Sequence, residues 1–179
     1  MKFFLPLALF TLALLGGCVT PASVDYDREA VPQIASYDTF AIDGRETRSE
    51  YQEVALSPIV DRRFERAIRE ALIAKGFTRS ASQPDFRVTF NTVTKTRTEL
   101  NDYGPSPFRR YPYYGYGGRY LDLDEYEEGT FIVDVIDAQS KQLVWRGAYV
   151  KRLGWSAPDD AQVQEIVATI LTEFPPGAK

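Results

Sequence analysis

Apolar positions along this chain recur with two periods, and the switches between them outline its elements. From Val60 onward, Phe64, Ala67, Ile68, Ala71 and Leu72 fall at three- and four-residue intervals, while Arg62, Arg63, Glu65, Arg66, Arg69 and Glu70 cover the opposite side. That is one amphipathic helix. Ser57-Pro58 supplies its N-cap hydroxyl and a proline at the first helical position; Lys75 and Gly76 close it. A second helix follows Asp159 or Asp160, with Val163, Ile166, Val167, Ile170, Leu171 and Phe174 on one face and Pro175-Pro176 as the stop. Elsewhere the period is two. Phe86, Val88 and Phe90 alternate with Arg87, Thr89 and Asn91, predicting a strand over Asp85–Thr98.

Phe131–Ile136 is apolar and β-branched, as a central strand requires, and Leu143–Val150 follows a polar turn over Asp137–Gln142. Val24–Asp27 and Tyr37–Ile42 are extended, with a loop marked by Pro32 between them; polar Gly44–Tyr51 is a surface connection. The order strand, strand, helix, strand, strand, strand, helix predicts a two-layer α+β fold. Its mainly antiparallel sheet carries two amphipathic helices packed on one face.

The first residues follow neither period. Lys2 precedes Phe3–Leu15, apolar but for Pro6 and Thr11, which is shorter than the roughly 20 residues a spanning helix needs and reads as the core of a signal peptide. Leu15-Gly16-Gly17-Cys18 resembles the bacterial lipobox. The resemblance implies cleavage of residues 1–17, a diacylglyceryl group on the Cys18 thiol and a third chain on its amino group. One acyl chain binds a bilayer marginally at about 0.8 kcal/mol per buried methylene, two hold stably, and three hold for the protein's working life. Val19 stands where an aspartate would imply retention at the inner membrane. The implied address is therefore the periplasmic face of the outer membrane in a diderm bacterium. Residues 18–23 form the tether, and residues 24–179 form a single domain.

Composition then removes function classes. The 179 residues include no histidine and one cysteine. His-ligated metals, imidazole bases, intramolecular disulfides and Cys-rich zinc sites are excluded. A net charge of -4 gives no basic footprint for nucleic acid. No cofactor is expected.

Several runs together resemble a bacterial lipoprotein family known as domain of unknown function 4136. They are Val24-Asp25-Tyr26-Asp27, Tyr37-Asp38-Thr39-Phe40, Leu72–Phe77, Pro84-Asp85-Phe86-Arg87-Val88 and Glu128-Gly129-Thr130. Asp134, Asp137, Leu143-Val144-Trp145-Arg146-Gly147 and Ile170-Leu171 with Phe174-Pro175-Pro176 complete the set. The resemblance implies an envelope lipoprotein and supplies no catalytic residues.

Candidate chemistry is sparse. Residues 103–120, rich in Tyr and Gly, contain Tyr103, Phe108, Arg109, Arg110, Tyr111, Tyr113, Tyr114, Tyr116, Arg119 and Tyr120. Proline and glycine at this density predict a long loop. The plainer reading is a low-complexity flap that folds back over the sheet or stays disordered. The sharper one is a binding loop whose aromatic faces and guanidinium groups stack on a glycan or an envelope protein. Asp122, Asp124, Glu125, Glu127 and Glu128 suit a solvated strand entry better than a calcium site, since no EF-hand loop is present. Asp134 and Asp137, three apart on a strand, face opposite sides and make a poor dyad; Asp134 is expected on the less buried face and Asp137 at the turn. Trp145 reads as core. The expectation is a non-enzymatic binding or structural protein. The alternative is a carboxylate-dependent hydrolase of periplasmic glycan using groups such as Glu128 and Asp134.

Overall fold

The computed structural model describes residues 22–44, 57–105, 119–154 and 157–177. The signal segment, Cys18 and most of its tether, most of the 44–51 connection, and residues 106–118 of the Tyr/Gly-rich segment lie outside these. Along the described chain run β1 (Ser23–Tyr26), α1 (Val31–Ile34), β2 (Thr39–Ile42), α2 (Pro58–Ala74) and β3 (Thr78–Arg79). They are followed by β4 (Phe86–Pro105), β5 (Arg119–Asp137), β6 (Leu143–Arg152) and α3 (Asp160–Ile170), which runs into a 3-10 turn at Leu171–Glu173.

One six-stranded sheet has the order β1-β6-β5-β4-β2-β3. β4, β5, β6 and β1 pair antiparallel, whereas β2 pairs parallel with both β3 and β4. The sheet is thus mixed. Its parallel corner exists because α2 lies between β2 and β4 in the chain, and a crossover of that kind returns the chain in the same direction.

Both long helices cover one face of the sheet. Ser57 Oγ accepts from the Val60 amide at 3.4 Å, Pro58 opens α2, and Gly76 at φ +97° takes the left-handed position beyond its end. Phe64 of α2 stacks on Phe90 and Phe131 with centroids 5.6 and 5.4 Å away. α3 starts with a capping box between Asp159 and Gln162 and buries Val163, Ile166, Val167 and Ile170. It lies so close to β6 that a Cβ on Gly147 would meet Ile170 Cγ2 at 2.7 Å. Trp145 is fully buried, packed edge-on against Phe174 at 5.2 Å.

Three features depart from the sequence expectation. The Pro32 loop is a single helical turn, α1, because proline occupies its first turn and suits that position. β3 is a two-residue strand with no periodicity to announce it. The largest departure is the central hairpin. β4 and β5 stay in register from Phe86↔Asp137 to Asp102↔Leu121 and, past an irregularity, to Pro105↔Arg119. Tyr103, Arg119 and Tyr120 therefore sit in strands, not in a loop, and Asp122, Asp124, Glu125, Glu127 and Glu128 lie within β5, not at its entry. Acidic residues have poor strand propensity, yet continuous pairing with the threonine-rich partner outweighs it.

β6 reaches only to the pair Glu128↔Arg152. Beyond that point β4 and β5 have no further strand partner among the described residues. They run on as a two-stranded ribbon for about ten residues, or about 30 Å at roughly 3.3 Å per residue.

Candidate functional site

The opposite end of the sheet from the ribbon holds a cleft of about 550 Å³. α1, the end of β5 and the entry to β4 form its walls. Asp137, only 2% exposed, is the last residue of β5. Its Oδ1 accepts from the Gln139 and Ser140 amides at 3.1 and 2.5 Å, which fixes the hairpin turn. Its Oδ2 accepts from Gln33 Nε2 and from the Tyr37 hydroxyl, each at 2.8 Å. Burial pushes the Asp137 carboxyl upward, but donors from Ser140, Tyr37 and Gln139 outweigh it and hold the group below its ordinary value. Burial, and then the hydrogen bond to Asp137, push Tyr37 far above the ordinary tyrosine value.

Asp85 is the second carboxylate of the cleft. Its Oδ2 accepts from the Asp38 amide at 3.0 Å and from the Thr39 amide and hydroxyl at 2.8 Å each. Those bonds, the Asp38 amide foremost, lower its pKa. Arg87 Nε donates to Asp43 at 2.7 Å, and Lys141 stands at the mouth in the left-handed region, φ 63°. Both carboxylates are held ionised by donors that belong to the fold. Neither carries a proton to donate near neutral pH. The donors that hold them, Gln33 Nε2 and the Tyr37 and Thr39 hydroxyls among them, are thereby engaged within the fold.

The other candidate residues are scattered. Asp134 lies on the face away from the helices, and Asp137 faces their side, as the spacing predicts. Asp134 itself is nevertheless only 5% exposed, because Arg146 on β6 lies directly opposite and grips both of its oxygens at 2.6 and 2.8 Å. That bond raises the Arg146 pKa against the opposing effect of burial. Glu128 shares the Asp134 face and pairs with Arg97 at 3.2 Å. Six residues along one strand separate Glu128 from Asp134 by about 20 Å, beyond the roughly 5 to 9.5 Å that a glycosidase pair requires. Asp124 and Glu128 project to one side of the ribbon, Glu125 and Glu127 to the other. Among the described residues no three acidic or thiol groups converge on a possible metal site.

Sequence reasoning missed the cluster of Gln33, Tyr37, Asp85 and Asp137. The signal was present: Tyr37, Asp85 and Asp137 each belong to a run that carries the family resemblance. So do Asp134, Arg146 and Gly147.

The fold defines a two-layer α+β domain in which a mixed sheet carries its helices on one face and extends its central hairpin past the end of β6. The chain belongs to the family described as Domain of unknown function (DUF4136), matched over residues 22–176. No curated protein matches it. Among solved structures, a PDZ domain protein from Parabacteroides distasonis is similar at 17% identity and a TM-score of 0.54. The match covers 89% of this chain but only 36% of that one, and shows a shared fold. A DUF4136 family protein from Bacteroides thetaiotaomicron is 16% identical over 86% of this chain and 95% of its own, with a TM-score of 0.49. The PelC dodecamer from Paraburkholderia phytofirmans is 14% identical over 86% and 97%, at 0.45. No helix among the described residues is long and apolar enough to cross a membrane.

Proposed function

We propose that this protein is a lipoprotein of the bacterial envelope, anchored through acyl chains on Cys18 at the periplasmic face of the outer membrane. Its role there is non-enzymatic: binding or structural support. One observation carries the second half of the proposal. The polar residues of the family-like runs are engaged with one another, as Tyr37 with Asp137, Thr39 with Asp85 and Asp134 with Arg146. They tie elements together instead of facing a substrate. The anchor rests on the Leu15–Cys18 run after an apolar segment.

The contact surface assigned to this role is the Tyr/Gly/Arg-rich segment, with Phe108, Arg109, Arg110, Tyr111, Tyr113, Tyr114 and Tyr116 outside the described residues and Arg119 and Tyr120 at the start of β5. Its support is placement: β4 and β5 carry both ends of the segment well past the end of β6. An envelope protein or a glycan is the partner class. Replacing residues 106–118 by a short turn keeps both strands, so folding is expected to survive while in-cell cross-links to envelope components weaken. Unchanged cross-links with an intact fold would contradict the assignment.

A further inference from the structure

The two faces of the projecting ribbon differ in how their side chains are engaged. On the face away from the helices, Arg97 pairs with Glu128, Asn101 Nδ2 donates to Asp124 at 3.2 Å, and the Arg152 guanidinium sits 4.1 Å over the Tyr126 ring. Most polar side chains of that face are engaged in this way, although Lys95 and Glu99 are exposed there without an ion-pair partner among the described residues. On the other face Leu100 and Leu123 stand directly opposite each other, 59% and 65% exposed, and Glu125 and Glu127 follow Leu123 along the same side of β5. Both glutamates are exposed, with no ion-pair partner among the described residues. A two-stranded ribbon is marginal in water without a third element against it, and this one presents an apolar pair followed by two unneutralised carboxylates.

The complementary pattern lies on α2. Ile59, 58% exposed, is followed on the same helical stripe by Arg62, Arg66 and Arg69. With Arg63 and Glu65 they line a shallow groove of about 470 Å³ beside Asp160, in which four arginines outnumber the two carboxylates. Asp160 is shared by Arg63 and Arg66 at 3.1 Å each, which leaves Arg62 and Arg69 without an ion-pair partner among the described residues. The two patterns also match in scale. Ile59 to Arg69 covers about 15 Å at 1.5 Å per residue, and Leu123 to Glu127 about 13 Å, a difference that flexible arginine stems absorb.

We infer that the ribbon of one copy docks on α2 of a second copy, with Leu100 and Leu123 against Ile59 and Glu125 and Glu127 against the Arg62, Arg66 and Arg69 stripe. The two surfaces are different and lie on separate parts of the chain. The contact is therefore head-to-tail, and it either closes into a ring or propagates. The inference goes beyond the contact role proposed for the Tyr/Gly/Arg-rich segment and does not use the anchor: its own failure leaves the anchor standing, and a Cys18→Ser background keeps the cross-linking independent of Cys18.

Paired cysteines test it in the full chain, expressed in cells and oxidised before extraction. Chains carrying both Ile59→Cys and Leu123→Cys are expected to give a ladder of species at multiples of the chain mass on a non-reducing gel. Co-expressed single variants, one introduced cysteine each, are expected to stop at dimers. Reversing the stripe (Arg62→Glu with Arg66→Glu) or the ribbon (Glu125→Arg with Glu127→Arg) is expected to reduce cross-linking at least fivefold, and combining the reversals to restore at least half. The changed side chains are solvent-facing, and circular dichroism of each variant verifies the fold. A folded double-cysteine chain that stays monomeric would overturn the inference. So would a ladder indifferent to both reversals, which would mark non-specific contact.

Discussion

The Tyr37 hydroxyl donates a 2.8 Å hydrogen bond to Asp137 Oδ2 across 100 residues of sequence, joining the segment between α1 and β2 to the end of β5. Asp137 is almost fully buried and already holds the turn after β5 through its other oxygen. One carboxylate therefore fixes the turn and clamps α1 with its neighbouring segment against it.

This joint makes stability depend on pH in a defined direction. The folded-state pKa of Asp137 lies below its unfolded value, so its contribution is fully present above about pH 4. It is lost as the pH falls through the lowered folded value. Asp137→Asn keeps one oxygen for the Gln139 and Ser140 amides but turns a donating nitrogen toward Gln33 Nε2 and the Tyr37 hydroxyl and removes the charge, and is expected to cost about 1–3 kcal/mol at pH 7. Tyr37→Phe removes one donor to a charged group and is expected to cost about 1.5–3 kcal/mol. Urea unfolding between pH 3 and pH 7 checks both: the loss from Asp137→Asn should shrink toward pH 3. A pH-independent difference would contradict the clamp.

The Asp134–Arg146 pair predicts an asymmetric result. Arg146 is 48% exposed at its side chain and Asp134 only 7%. Arg146→Met strands a buried carboxylate and is expected to destabilise by about 1–3 kcal/mol. Adding Asp134→Asn removes the stranded charge and should recover at least half. Denaturation of the two singles and the double measures this coupling. Additive effects would mean that the bidentate contact contributes little.

Gly147 is needed for space. A Cβ there would lie 2.5 Å from Trp145 Cη2 and 2.7 Å from Ile170 Cγ2, between a buried ring and α3. Gly147→Ala is expected to lower stability by about 1–3 kcal/mol through overpacking. A melting temperature equal to that of the unaltered chain would show that the α3–β6 contact is loose.

Much of this architecture was legible in the sequence, for identifiable reasons. α2 announced itself through periodicity, Ser57-Pro58 and Gly76; α3 through its stripe and the Asp159 cap; the β5–β6 hairpin through the turn at Asp137. These are local signals, each contained within one element. What stayed hidden depends on pairing between distant segments. The outer half of β5 reads as Asp and Glu, poor strand formers, and becomes strand because β4 lies beside it residue for residue. The parallel placement of β2 next to β4 follows from a crossover that no local pattern encodes. Tyr37 and Asp137 are ordinary residues in their own runs, and become a joint only when the fold closes.

The central claim, a protein tied to the envelope by lipid on Cys18, is tested most directly by mass spectrometry of the N-terminal peptide from protein extracted out of whole membranes. The account predicts a chain beginning at Cys18, with a diacylglyceryl thioether on the sulfur and an acyl group on the α-nitrogen. A Cys18→Ser variant should lose both modifications and leave the acylated membrane fraction. A mature terminus elsewhere, or a free thiol on Cys18 in protein recovered from the cell, would contradict it.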